Sequence, residues 1–159
     1  MALKKWMSIC GVKIGTKMNK PPTVVVDADA IIAQADPNDK HHLTAIKISE
    51  FLANTKAQVV YPVTAITESN AYIQRVLNST ASAYGTAVIF TDPSVQVAEV
   101  NQEVIKSALK YFNPKTSKKN TLFDCIIAAI AKEKQADAIF SFDKFYPRNG
   151  FKLASDLQV

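Results

Sequence analysis

Four acidic residues stand at positions where a folded chain could use them for chemistry. Asp27 and Asp143 each end a short apolar run, Glu68 lies in the second turn of a predicted helix, and Asp124 heads an almost wholly apolar helix. An apolar run without alternation is typical of a strand buried on both faces of a parallel sheet. Because the carboxyl ends of such strands meet at one edge and the connections are right-handed, all four carboxylates can converge there.

Converging carboxylates predict a bound cation. Like charges packed closely repel one another, so ionised and unpaired acids would be costly to bury. A ligand set of oxygen atoms, without Cys or His nearby, suits Mg²⁺ or Mn²⁺. Such a cation typically serves phosphoryl chemistry, in which one ion activates water and a second, ~3.5–4 Å away, stabilises the leaving oxygen.

Each acid also has an ordinary structural interpretation. Asp29 lies at the start of the predicted first helix, where Asp is a good cap. Glu68 taken alone is typical of a solvated helix residue. Asp124 fits a capping box opened by Thr121, and its charge suits the helix dipole. A charge at the head of a buried helix nevertheless needs a partner or a metal ion.

Basic residues flank two of the acids. A lysine-bearing loop precedes Asp124, and two cationic residues follow Asp143; together they are Lys115, Lys118, Lys119, Lys144 and Arg148. A polyanionic backbone would need such neighbours, since the acidic pocket alone would repel it. The alternative is an ordinary solvated loop.

The elements that must position these residues follow from periodicity and turn signals. Strands are predicted at 23–26, 58–61, 95–99, 138–142 and 151–153, and helices at 28–35, 41–54, 65–77, 81–90, 101–112 and 122–134. We expect Thr64 to cap its helix, Leu109 and Phe112 to face inward, and His41 and His42 to be solvated helix-start residues. The alternation of strands and helices predicts an α/β domain.

Length and charge indicate one globular domain behind a basic extension. The chain has 159 residues, of which 48% are hydrophobic and 21% charged. Five lysines and no acid lie within residues 1–20, so the net charge of +5 belongs to that segment. We expect residues 1–22 to form a poorly ordered extension, with Met18 as an alternative start, and residues 23–159 to form the domain. The segment is too interrupted for a signal peptide.

Two further features concern the compartment. Cys10 and Cys125 form neither a disulfide framework nor a zinc pattern, and Cys125 is predicted to be a small core residue. No apolar run approaches the roughly 20 residues that cross a bilayer. We therefore expect a cytoplasmic protein that does not contact a membrane.

Four motifs together resemble a known family. Val-Val-Val-Asp-Ala-Asp-Ala-Ile-Ile-Ala, Thr-Ala-Ile-Thr-Glu-Ser, Leu-Phe-Asp-Cys-Ile-Ile-Ala-Ala-Ile-Ala and Ser-Phe-Asp-Lys-Phe-Tyr occur in this order over residues 23–156. The order is similar to that of the PIN domain: an Asp after the first strand, a helix Glu, an Asp opening a buried helix and an Asp after the last core strand.

This resemblance implies a three-layer α/β/α fold with a mainly parallel sheet and a ribonuclease that uses Mg²⁺ or Mn²⁺. It carries Asp27, Glu68, Asp124 and Asp143 over as catalytic and metal-binding residues. Asp29 and Ser141 would support them. Many small single-domain members are toxins of the VapC kind, which form homodimers and are held inactive by an antitoxin, so RNA, an antitoxin and a second copy are the implied partners.

Other functions stay open at this stage. The nuclease could process RNA outside a toxin–antitoxin system, or the domain could bind RNA or protein without cutting. Asp27-Ala-Asp29 after a buried strand also resembles the nucleophile motif of haloacid-dehalogenase-like phosphatases, in which Asp27 would be phosphorylated and Asp29 would be the general acid. Ile31 departs from that motif, and a late pair of acids is lacking.

Overall fold

The central sheet of this protein is parallel throughout. The computed structural model describes residues 20–115 and 120–158, and there the strands are β1 (Thr23–Val26), β2 (Gln58–Pro62), β3 (Gln96–Ala98) and β4 (Ala138–Phe140). Their order across the sheet is β3-β2-β1-β4. Val25 is in register with Val60 of β2 and Ile139 of β4, and all of β1 is buried, as its unbroken apolar sequence predicts.

Helices cover both faces of the sheet. They are α1 (Ala28–Ala35), α2 (His42–Asn54), α3 (Val63–Arg75), α4 (Thr80–Ile89), α5 (Gln102–Ala108), α6 (Leu122–Glu133) and the short α7 (Phe145–Arg148). Because side chains alternate along a strand, Val60 faces Val104 of α5 and Ile130 of α6, while Val59 faces Leu52 of α2 on the other side. The result is the predicted three-layer α/β/α fold.

Helix α6 is the buried helix of the fold. Its residues from Cys125 to Ala131 are all buried, and it packs against β1 and α5. The prediction that Cys125 is a core residue is confirmed, since 1% of it is exposed. A helix that is apolar nearly all round can be stable only inside, and the buried part of α6 begins at Cys125, directly after Asp124.

Several predicted boundaries are wrong. Helix α3 begins at Val63 rather than Ala65, and Thr64 lies within it, with its buried hydroxyl lacking a hydrogen-bond partner. Helix α5 ends at Ala108, and Leu109 and Phe112 are exposed because the chain leaves the core there in a series of turns.

The region after β4 also differs from the prediction. The strand was predicted to reach residue 142 but stops at Phe140, and residues 141–143 connect it to α7. The predicted last strand is a single bridge between Ile139 and Leu153, followed by the 3₁₀ helix Ala154–Gln158. None of the described helices is long and apolar enough to cross a membrane. The predicted extension, up to residue 19, lies outside the described residues.

Candidate active site

The acidic pocket lies where the strand order reverses. The chain runs from β1 to β2 on one side, whereas β4 pairs with β1 on the other side. Asp27 directly follows β1, and its backbone N–H continues the ladder by donating to the carbonyl of Phe140 at 3.0 Å. The carboxyl ends of two adjacent strands around such a switch point form the crevice in which open α/β sheets bind ligands.

Asp27 is the buried centre of the pocket. Its Oδ1 accepts the N–H of Ala28 at 2.7 Å and caps α1, and its Oδ2 lies 2.7 Å from the Tyr146 hydroxyl and 3.1 Å from Ser141 Oγ. Burial, followed by the charge of Asp29, raises the pKa of Asp27 to about 7, although the bonds from Tyr146 and Ala28 act in the opposite direction.

Asp29 lies two residues after Asp27, in the first turn of α1. Its Oδ2 accepts the Ser141 hydroxyl at 2.9 Å and the backbone N–H of Phe142 at 2.8 Å. Its Oδ1 is buried and has no hydrogen-bond partner. Burial raises the pKa of Asp29 to about 6, and the bonds from Phe142 and Ser141 lower it. Native structures rarely leave a buried oxygen in this state unless a ligand satisfies it.

Asp124 and Asp143 each use one carboxylate oxygen to accept a backbone N–H from a residue two or three positions away. Asp124 closes the predicted capping box of α6 by accepting the N–H of Thr121, whose hydroxyl accepts the N–H of Phe123. Burial comes first among the causes that raise the pKa of Asp124, and the charge of Asp143 adds to it. Asp143 Oδ1 accepts the N–H of Phe145 at 2.7 Å and so opens α7.

Glu68 reaches the pocket from α3. The residue is exposed, and it lies at the rim. Partial removal of its carboxylate from water, followed by the charges of Asp27 and Asp124, raises the pKa of Glu68 to about 7. The structure therefore brings Asp27, Asp29, Glu68, Asp124 and Asp143 within electrostatic range of one another, and Ser141 lies among them.

Within the described part of the chain, no lysine, arginine or histidine forms a salt bridge with these carboxylates. Among the described residues the one salt bridge joins Lys134 to Glu133, away from the pocket. The oxygen-only donor set and the unpartnered Asp29 Oδ1 fit a hard divalent cation. As placed, however, no three His, Cys, Asp or Glu side chains in the described part of the chain stand close enough to hold a metal. The capping bonds of Asp124 and Asp143 give a physical reason, since those oxygens point toward helix ends.

The predicted basic residues are only partly described. Lys115, Lys144 and Arg148 are exposed, with Lys144 beside Asp143 in the chain and Arg148 in α7. Lys118 and Lys119 lie outside the described residues.

Sequence patterns did not predict the contact that Tyr146 makes in the pocket, nor the contacts of Phe142 and the two histidines. Tyr146 binds Asp27 and is fully buried. His41 stacks on Phe142, with ring centroids 4.2 Å apart, and His42 Nδ1 lies 2.7 Å from the carbonyl of Ala33. Both histidines start α2 as predicted, but each is half-buried and makes these contacts rather than being fully solvated. Tyr146 could have been found from its position three residues after Asp143, because that spacing is about one turn of a helix.

The fold and the pocket define an α/β domain with an acidic crevice at its switch point. Residues 24–152 match the family described as the PIN domain, and the chain belongs to that family. The structure is similar to the crystal structure of VapC20 from Mycobacterium tuberculosis, which is described as a toxin that cleaves the sarcin–ricin loop. The TM-score is 0.69 at 20% identity, over 80% of this chain and 95% of that one. A comparison with curated proteins finds no significant match.

Proposed function

We propose that this protein is an endoribonuclease that requires Mg²⁺ or Mn²⁺ and hydrolyses RNA phosphodiester bonds at the acidic pocket. The observation that carries the proposal is the set of five interacting carboxylates, which no described cation neutralises and in which Asp29 Oδ1 is buried without a partner. Membership of the PIN family supports it and disfavours the phosphatase alternative.

Some pocket residues would bind the cation, and others would support the residues that bind it. Asp27, Asp124, Asp143 and Glu68 would hold the cation, whose chemistry is to activate water and to stabilise the leaving oxygen. Asp29 and Ser141 would support them, with Ser141 orienting Asp29 through the bond at 2.9 Å. Glu68, whose pKa is raised to about 7, would also accept the proton that water loses when it attacks phosphorus.

Binding of RNA would use the cationic residues next to the pocket. Lys144 directly precedes α7 and Arg148 ends it, and both residues are exposed. Lys115, together with Lys118 and Lys119 in the sequence before Asp124, would contact phosphates of the RNA. Phosphate contacts of this kind make binding strongly dependent on salt.

A toxin role with a protein partner is the finer part of the proposal. VapC20 is a toxin by its description, and this chain shares its fold. The α3–α4 hairpin exposes apolar side chains, namely Tyr72, Val76, Tyr84, Val88 and Ile89. Exposed apolar surface of this kind suits an antitoxin or a second copy of the chain. We place the protein in the cytoplasm, where RNA and a reducing environment are found.

The test is cleavage of a pool of structured RNAs by the wild type and by Asp124→Asn. The asparagine keeps an oxygen for the capping box but removes one charge from the pocket. Glu50→Gln, an exposed acid in the middle of α2, is the matched control. We expect cleavage by the wild type and the control with Mg²⁺ or Mn²⁺, and none by Asp124→Asn or in EDTA.

Two other outcomes would contradict the proposal. Cleavage that persists in EDTA would place the activity elsewhere. Absence of cleavage by folded, partner-free protein under every condition would favour a domain that binds RNA without cutting it. Toxicity on expression that a co-expressed antitoxin relieves would separate a toxin from an RNA-processing nuclease.

A further inference from the structure

Tyr146 occupies an unusual position below the pocket. It lies in α7, three residues after Asp143, and none of its surface is exposed. Its hydroxyl donates to Asp27 Oδ2 at 2.7 Å, across 119 positions of the chain. A buried tyrosine usually needs a partner for its hydroxyl, yet here the partner is the central carboxylate of the site.

The Tyr146 hydroxyl matters because the Ser141 hydroxyl cannot serve both neighbouring carboxylates at once. Ser141 Oγ has one proton but lies within reach of two carboxylate oxygens, 2.9 Å from Asp29 Oδ2 and 3.1 Å from Asp27 Oδ2. A hydroxyl can donate that proton to only one of them at a time. Whenever it goes to the nearer oxygen, on Asp29, Tyr146 is the sole described donor left for Asp27 Oδ2.

The two ends of the Asp27 carboxylate are therefore held by different elements. Oδ1 is fixed by the N–H of Ala28 in α1, and Oδ2 by the hydroxyl of Tyr146 in α7. A hydrogen bond to an ionised acceptor is short and strong, and two such bonds at opposite oxygens define the plane of the carboxylate. The remaining lone pairs of Asp27 then keep a fixed direction toward the pocket.

We propose that Tyr146 is a positioning residue that orients the Asp27 carboxylate for the bound cation. The inference rests on the proposed function, because Asp27 is there a metal-binding residue. Packing alone does not account for it, since a phenylalanine ring would fill the same space without reaching Oδ2. Partners of this kind fix the orientation of the groups that hold a metal.

The variant Tyr146→Phe tests this directly. Loss of an outer partner typically lowers metal affinity or activity by about 10–100-fold, and we expect a loss of that size in Mn²⁺ affinity and in kcat, with KM for RNA little changed. Mn²⁺ affinity is measured from the rise in melting temperature with metal concentration, which needs no cleavage. Tyr61→Phe, a half-buried tyrosine packed on Phe90, is the matched control and should change neither quantity.

A second pair of variants asks whether Tyr146 acts through Asp27. In the Asp27→Asn background, Tyr146→Phe should cause no further loss of Mn²⁺ affinity, whereas independent, additive losses would overturn the inference. Should Tyr146→Phe fail to fold by circular dichroism, 3,5-difluorotyrosine at position 146 keeps the ring and strengthens the donor; it should leave Mn²⁺ affinity at least as high as in the wild type, and a lower affinity would count against the role.

The outcomes separate the two proposals. A wild type that binds Mn²⁺ and cleaves RNA, beside a Tyr146→Phe variant that does both equally well, would overturn the role of Tyr146 alone. A wild type that binds Mn²⁺ without cleaving RNA would overturn the ribonuclease while the role of Tyr146 is still decided by metal affinity. A wild type that does neither would overturn both.

Discussion

Asp29 differs from the other pocket acids because one of its oxygens is buried and unpartnered. Neutralising it by Asp29→Asn leaves one oxygen to accept from Ser141 and Phe142, while an amide group takes the place of the orphaned Oδ1. Because the pKa of Asp29 is raised to about 6, its ionised form opposes folding near pH 7.5. We expect the free energy of unfolding in EDTA to rise by about 1–2 kcal/mol.

Urea denaturation in EDTA and in Mg²⁺ measures this effect. The wild type should gain more stability from Mg²⁺ than Asp29→Asn does, since the cation relieves the same repulsion. Glu50→Gln, which removes an exposed carboxylate, should follow the wild type in both buffers. A less stable Asp29→Asn in EDTA, or an equal gain from Mg²⁺ in both proteins, would contradict the account.

The positions of single acids and the local capping box of Asp124 could be predicted, but the bonds between distant parts of the chain could not. Asp27 and Asp143 were found because apolar runs end at them, and this is a local signal. The bonds from Tyr146 to Asp27 and from Ser141 to Asp29 join residues more than 110 positions apart. Such contacts depend on how β4 and α7 meet β1, and neither periodicity nor spacing contains that information.

At the scale of elements, the capping box of α6 couples helix stability to the pocket. Thr121 accepts the N–H of Phe123, and Asp124 accepts the N–H of Thr121 in return. We expect Thr121→Ala to lower the free energy of unfolding by about 1 kcal/mol, the usual cost of losing such a cap. Urea denaturation measures it.

Thr44→Ala is the control for the loss of a threonine from the first turn of a helix. Thr44 is exposed in α2, so its removal should change stability by less than about 0.5 kcal/mol. Equal effects of the two substitutions would show that the box contributes nothing beyond helix propensity.

Elements with a strong local apolar pattern were predicted correctly. The ends of elements that depend on tertiary contacts were not. Strand β1 has an unbroken apolar sequence and helix α6 an almost wholly apolar one, and both lie where the pattern predicts them. Helix α5 keeps its apolar period beyond Ala108, yet Leu109 and Phe112 are exposed because the chain turns away from the sheet. Strand β4 stops early because the Ser141 hydroxyl and the backbone N–H of Phe142 bind Asp29.

At the scale of the whole molecule, the pocket makes stability depend on pH in a direction opposite to that of most acids. Asp27 and Glu68 have pKa values raised to about 7, and Asp29 to about 6, whereas an unfolded carboxyl titrates near 4. Between these values the folded state binds more protons than the unfolded state, so stability falls as pH rises. The contribution of these groups is fully favourable below about pH 4 and is lost through about pH 7.

In EDTA we therefore expect the free energy of unfolding to fall by about 2 kcal/mol per pH unit between pH 5 and 7, mainly through the buried Asp27 and Asp29, because water screens the exposed Glu68. Urea denaturation at fixed ionic strength measures the slope. Asp27→Asn should flatten it, because one of the raised groups no longer titrates, while Glu50→Gln should leave it unchanged. Mg²⁺ should restore stability at pH 7.5 by favouring the ionised carboxylates. A wild-type stability that rises from pH 5 to 7 in EDTA would mean that the five carboxylates do not interact in the folded protein as their placement requires.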